Sequence, residues 1–126
     1  NYRPNKKGGK EMEDKQPTEQ QIKEFWEWCG LKQICSPHDD MYRRGIWADP
    51  IEQRRFDTPD IDLNNLFKYA VPKLYAVEVG TWFPPDSSKL DWRAWVEDSP
   101  MSIGVQSYGE TPALALFWAI WEVIHK

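Results

Sequence analysis

Between Thr111 and His125 the chain reads TPALALFWAIWEVIH, and nine residues in a row, Ala113 to Trp121, are apolar. Thr111 is a favoured N-cap and Pro112 falls at the first helical position, where its missing N–H costs nothing, so the segment predicts a helix. A helix that is apolar on nearly every side has to be covered on most of them. The run is well short of the roughly 20 residues that a bilayer requires, so the expected cover is the rest of a folded domain.

The chain has 126 residues, enough for one domain with a single core, and its eight Trp, five Tyr and five Phe supply bulky core material. The net charge is −4. Arg3, Lys6, Lys7 and Lys10 face only Glu11 in the first eleven residues, so the body from Met12 onward is more acidic still. An acidic body argues against nonspecific binding to nucleic acid, which needs clustered Lys and Arg. With neither an apolar leader nor a membrane span in view, the expectation is a cytoplasmic protein whose two cysteines are free thiols.

Residues 1–17 carry no apolar periodicity and are expected to lie outside the fold, which leaves 18–126 as one domain. Lys7-Gly8-Gly9 can be encoded as AAA GGA GGU, which contains a bacterial ribosome-binding sequence, and Lys10-Glu11 would be the spacer before a start codon at Met12. The segment before Met12 is therefore expected to be untranslated, the competing reading being a basic disordered arm. From Thr18 the pattern becomes helical. Thr18 and Gln21 form a capping box, Ile22, Phe25, Trp26 and Cys29 share a face, and Gly30 closes the helix. Trp28 falls off that stripe.

Cys35 to Pro59 mixes acidic and basic residues around a few apolar ones and predicts a loop with one short irregular hairpin over MYRRGIWAD, turning near Arg44-Gly45. A second helix opens at Asp62 with the stripe Leu63, Leu66, Phe67, Ala70 and Leu74, and it should end or kink within a few residues of Pro72. Three strands follow, Tyr75 to Trp82, Asp91 to Glu97 and Ser102 to Tyr108. If Thr81 pairs with Trp92, then Val79 meets Ala94 and Val77 meets Val96, which puts apolar faces together, with Ile103 and Val105 continuing them. The fold class is α+β: a roughly three-stranded antiparallel sheet packed by the C-terminal helix and two further helices.

IKEFWEWCG (Ile22 to Gly30), IDLNNLFKYAVPKL (Ile61 to Leu74), TPALALFWAI (Thr111 to Ile120) and Trp47-Ala48-Asp49-Pro50 resemble segments of small phage and prophage proteins carrying the phage ABA sandwich domain. The resemblance covers most of the chain from Thr18 to His125 and implies an α/β sandwich from a bacteriophage or integrated prophage, working in the bacterial cytoplasm. It lends no activity to any position. The charged Cys35 to Pro59 stretch and the Pro84-Pro85 loop depart from the family pattern.

No catalytic constellation emerges, so the expectation is a protein that is not an enzyme and needs no cofactor. Cys29, Cys35 and His38 are spaced C-x5-C-x2-H, looser than the usual zinc spacing, and Cys29 fits the buried stripe, so no metal is expected. Asp57, Asp60 and Asp62, with Asp39, Asp40 and Asp49, would supply carboxylates, but Asp62 is already used as a cap. His125 suits the dipole of a final helical turn. Two binding surfaces remain. One is the sheet face carrying Trp82, Trp95 and Arg93, with Trp95 opposite Glu78 and diagonal to Gly80, a bare spot for an indole. That face would serve a host or phage protein partner or be covered internally. The other is a loop of Tyr42, Arg43, Arg44, Trp47, Arg54 and Arg55, suited to a small molecule or nucleotide through stacking and charge. The gene itself tests the start-site reading: AAA GGA GGU at Lys7 to Gly9 is the expected codon sequence, and other synonymous codons would remove the argument.

Overall fold

Thr18 begins the first helix as its sequence requires. In the computed structural model, which describes residues 16–39, 45–51, 54–83 and 91–125, the Gln21 N–H donates to Thr18 Oγ1 at 3.2 Å and the Thr18 N–H donates to Gln21 Oε1 at 2.9 Å. This reciprocal cap starts α1 (Glu19–Trp28). At the other end Gly30 has φ +99°, a conformation that glycine adopts without penalty. The Leu31 N–H then reaches Trp26 O and the Gly30 N–H reaches Glu27 O, which closes the helix in a Schellman motif. The Phe25 and Trp26 side chains are fully buried, their rings edge to face at 5.0 Å.

The chain divides into two compact units, one of Pro17–Asp60 and one built on Ile61–Lys126. In the first, α1 is followed by an antiparallel sheet of β1 (Lys32–Cys35), β2 (Ile46–Asp49) and β3 (Arg54–Asp57), in that order. The expected irregular loop therefore holds two regular strands, β2 and β3. Its strands are four residues each, a bulge interrupts β1 between Gln33 and Cys35, and only Trp47 among the twelve strand residues is buried. Alternation had too little length to register. The tight hairpin joins β2 to β3, with Trp47 opposite Phe56 and Asp49 opposite Arg54. The turn expected near Arg44-Gly45 lies mostly outside the described residues. Two buried indoles are held by one short segment: Trp47 Nε1 donates to Thr58 Oγ1 at 2.9 Å and Trp26 Nε1 to Pro59 O at 3.2 Å.

In the second unit Asp62 Oδ1 accepts the Asn65 N–H at 2.8 Å and opens α2 (Leu63–Asn65). The helix widens at once into a π-turn, Leu66–Ala70, in which the Val71 N–H reaches back five residues to Leu66 O, and then tightens into a 3₁₀ turn, Val71–Lys73. Pro72 explains the change of winding, because it has no N–H to offer Lys68 O and its ring would strike that carbonyl in an α-helix. The predicted interruption near Pro72 is present. Phe67, expected on the buried stripe, is instead 49% exposed, while Leu66 and Ala70 are buried. The wider winding offsets the face that an α-helical period would give.

The second sheet has β4 (Ala76–Trp82), β5 (Asp91–Glu97) and β6 (Val105–Gly109), antiparallel and in that order. Thr81 pairs with Trp92, Val79 with Ala94 and Val77 with Val96, the register that the alternation predicted. The third strand begins later than expected. Ser102 belongs to a turn, its N–H and hydroxyl both donating to Ser99 O, and Ile103 is 89% exposed rather than inward-facing. Across the inner face, Ala94, Val96 and Ser107 are covered by α3 (Pro112–Ile124), whose residues Leu114 to Ile120 are all buried. Thr111 caps it as predicted, accepting the Leu114 N–H at 3.1 Å.

Leu116 lies at the centre of that helix and is fully buried. Leu116→Asp should cost more than about 5 kcal/mol, the scale of a small domain's whole stability, and abolish cooperative thermal unfolding. A Leu116→Asp protein that still melts cooperatively would refute the packing described.

Candidate functional site

Because side chains alternate along a strand, the residues of β4 to β6 that do not face α3 form a second surface. β4 contributes Glu78, Gly80 and Trp82, β5 contributes Asp91, Arg93, Trp95 and Glu97, and β6 contributes Gln106 and Tyr108, with Asp91 opposite Trp82 and nearly buried. In the central strand, Arg93 is paired with Gly80 on one side and Tyr108 on the other. Trp82 and Tyr108 are on strands two apart, roughly 10 Å at the backbone, yet their ring centroids are 4.4 Å apart with planes inclined at 36°. The two rings therefore lean toward each other across β5. Gln106 Nε2 donates to the Tyr108 hydroxyl and helps to set the phenol.

Arg93 is half-buried, and among the described residues its side chain has neither an ion-pair nor a hydrogen-bond partner. Beside it, Gly80 leaves open space: a β-carbon there would have nothing within 4 Å. The indole expected to cover Gly80 is elsewhere. Trp95 is opposite Glu78 as predicted, but its ring lies on Gly104, where any β-carbon would overlap the indole. Trp95 thus secures the backbone leading into β6, and Gly80 remains a bare floor flanked by Trp82 and Arg93. Tyr108 and Gln106 were missed as site residues. The out-of-phase alternation of Gln106 and Tyr108 against Val105 and Ser107 is the signal that would have found them.

The arginine loop is not assembled in the same way. Tyr42, Arg43 and Arg44 lie outside the described residues. Arg54 and Arg55 are exposed on β3, opposite Asp49 and Ala48. Trp47, expected among them as a stacking platform, is 1% exposed and packs in the interior, its N–H already bonded to Thr58. A tryptophan with a hydroxyl acceptor available is better satisfied inside than over solvent.

The remaining candidates are used locally. His38 Nε2 is 3.3 Å from Glu19 Oε1, and both side chains are exposed. Cys29 and Cys35 are free thiols, half-buried. Among the described residues no three His, Cys, Asp or Glu side chains converge as a metal would require. Asp39 accepts from Ser36 Oγ, Asp49 from the Ile51 N–H and Asp62 from the Asn65 N–H, each in its own turn. The His125 ring packs on Trp121, centroids 4.2 Å apart and planes inclined at 44°. No helix among the described residues is long and apolar enough to cross a membrane.

The second sheet thus brings two paired aromatic rings, a guanidinium fork and a bare glycine floor into one patch. Compared with known proteins, the chain matches no family model, no curated protein and no solved structure.

Proposed function

We propose that the chain is a non-enzymatic protein-interaction module that docks its partner on the outer face of the second sheet, at Trp82, Gly80, Arg93 and Tyr108. The supporting observation is the pairing of the Trp82 and Tyr108 rings across β5 beside the half-buried Arg93. Arginine, tryptophan and tyrosine dominate the energetics of protein interfaces, because each combines a large flat apolar area with a polar tip. The partner that fits is a protein segment presenting a carboxylate next to an apolar side chain. Its carboxylate would take the Arg93 fork in a bidentate pair, and the apolar group would rest over Gly80 against Trp82. In keeping with the resemblance to phage ABA sandwich proteins, the partner would be a host component met in the bacterial cytoplasm.

A random displayed-peptide library panned against the intact chain tests this reading. The expected outcome is enrichment of peptides with an acidic residue adjacent to an apolar one. Arg93→Glu should weaken their binding at least 10-fold while the chain still unfolds cooperatively. Trp95→Ala should behave in the opposite way, lowering stability by about 3 kcal/mol through loss of the Gly104 contact while the folded fraction still binds. Selected peptides that bind Arg93→Glu as well as the parent would contradict the proposal.

A further inference from the structure

β4 is an edge strand. Among the described residues nothing pairs with its outer side, which leaves one row of its backbone N–H and C=O groups without a strand partner there. Proteins usually blunt such an edge with lysine, proline, a bulge or a short strand. β4 has none of these and carries a single charge, Glu78. It is seven residues long, AVEVGTW, without proline or lysine, and it pairs with β5 through all seven residues with no shift of register.

The sequence of this edge is self-complementary about its midpoint, Val79. A two-fold axis there would pair β4 antiparallel with β4 of a second copy, placing Val79 opposite Val79, Val77 opposite Thr81, Glu78 opposite Gly80 and Ala76 opposite Trp82. Each choice suits the pairing. The one charge on the strand meets a glycine rather than its own copy, so like charges are not juxtaposed, and the largest side chain meets alanine. The next pair outward is Tyr75 with Phe83. These are two of the large apolar side chains left to solvent, 60% and 63% exposed, and they lie at equal distances from Val79 at opposite ends of the strand. The axis would bring them together twice. The other edge offers no such match: centred on Ser107, β6 would set the exposed Ile103 against Thr111, the cap of α3.

We propose that the outer edge of β4 is a homodimer seam, an isologous interface in which two copies join their sheets into one six-stranded sheet with Tyr75 and Phe83 closing each end. The occupant is a second copy of this chain, because the complementarity is of the strand with itself. The seam uses the strand edge and borders the face patch proposed above, because it sets the second copy's Ala76 and Glu78 opposite Trp82 and Gly80; Tyr75 and Phe83, which lie outside that patch, test the seam separately.

Sedimentation equilibrium of the intact chain from about 1 μM to 1 mM should show twice the chain mass at the upper end, spanning the weak-to-moderate affinities of transient assemblies. Phe83→Glu and Tyr75→Glu each change an exposed side chain and should raise the dimer dissociation constant at least 10-fold without altering the thermal unfolding of the monomer. The double variant Tyr75→Glu/Phe83→Lys would set opposite charges across the axis and should recover part of the loss. Register is read by oxidative cross-linking with peptide mapping. Val79→Cys should cross-link to itself, whereas Val77→Cys and Thr81→Cys should cross-link to each other when mixed and not to themselves. Monomer at 1 mM would overturn the proposal, as would a dimer indifferent to Phe83→Glu or cross-links in another register. If Val79→Cys fails to fold, the mixed Val77→Cys and Thr81→Cys experiment and the Phe83→Glu measurement decide alone.

Discussion

The second unit depends on how closely α3 approaches β6 at Gly109. A β-carbon at that position would be 2.8 Å from the Ala115 backbone nitrogen and 3.1 Å from Leu114. The obstacle would be backbone, which cannot swing aside as a side-chain tip can. Only a residue without a side chain lets the first turn of the helix press onto the end of the strand. From there the helix crosses the sheet with Leu114 to Ile120 buried and Ala94, Val96 and Ser107 beneath it. The turn that makes this possible is short: β6 ends at Gly109 and the Thr111 cap is two residues on. A long apolar helix and a glycine-terminated strand are thus two halves of one constraint. The helix needs cover, and the strand offers it at van der Waals distance.

Consequences of that contact extend to the other side of the sheet. Once α3 takes one face, alternation assigns Trp82, Arg93, Trp95, Gln106 and Tyr108 to the other, and the chain has to manage three large aromatic side chains on a face patterned with charges. It does so by pairing two of them across β5 and laying the third on Gly104. Arg93 and the bare Gly80 are what remains between them. The first unit solves its aromatic problem differently, with hydrogen bonds: the indole N–H groups of Trp26 and Trp47 are both accepted within the two residues Thr58 and Pro59. That arrangement explains how two fully buried tryptophans are tolerated beside three four-residue strands with little apolar surface of their own.

These differences also decide what was legible in the sequence. The β4–β5 register could be read because seven residues alternate on each strand, and a one-residue slip would have exposed Val77, Val79, Ala94 and Val96 together. Caps were legible because Thr18, Asp62 and Thr111 each satisfy an N–H within three residues of themselves, a purely local demand. The first sheet was not legible. Its strands are too short for a period, the bulge after Gln33 breaks the alternation, and the burial of Trp47 depends on Thr58, eleven residues away. Phe67 was misplaced because Pro72 changes the helical period that assigned its face, and Ile103 because a serine-held turn postpones the strand. On the outer face, Trp82 and Arg93 were placed by alternation alone. Tyr108 required knowing that rings on strands two apart would meet, and the position of Trp95 over Gly104 required the turn geometry before β6.

The unfolding free energy of Gly109→Ala, measured by urea denaturation against the parent chain, tests the central contact most directly. One added methyl group changes no charge and almost no hydropathy, so its effect isolates the space between β6 and α3. If the close approach holds the unit together, the substitution should lower stability by about 1 to 3 kcal/mol, the usual consequence of forcing an extra carbon into a filled interior, with the denaturant slope unchanged. Stability equal to or greater than that of the parent would contradict the account, because it would mean that the first turn of α3 has room to spare above Gly109.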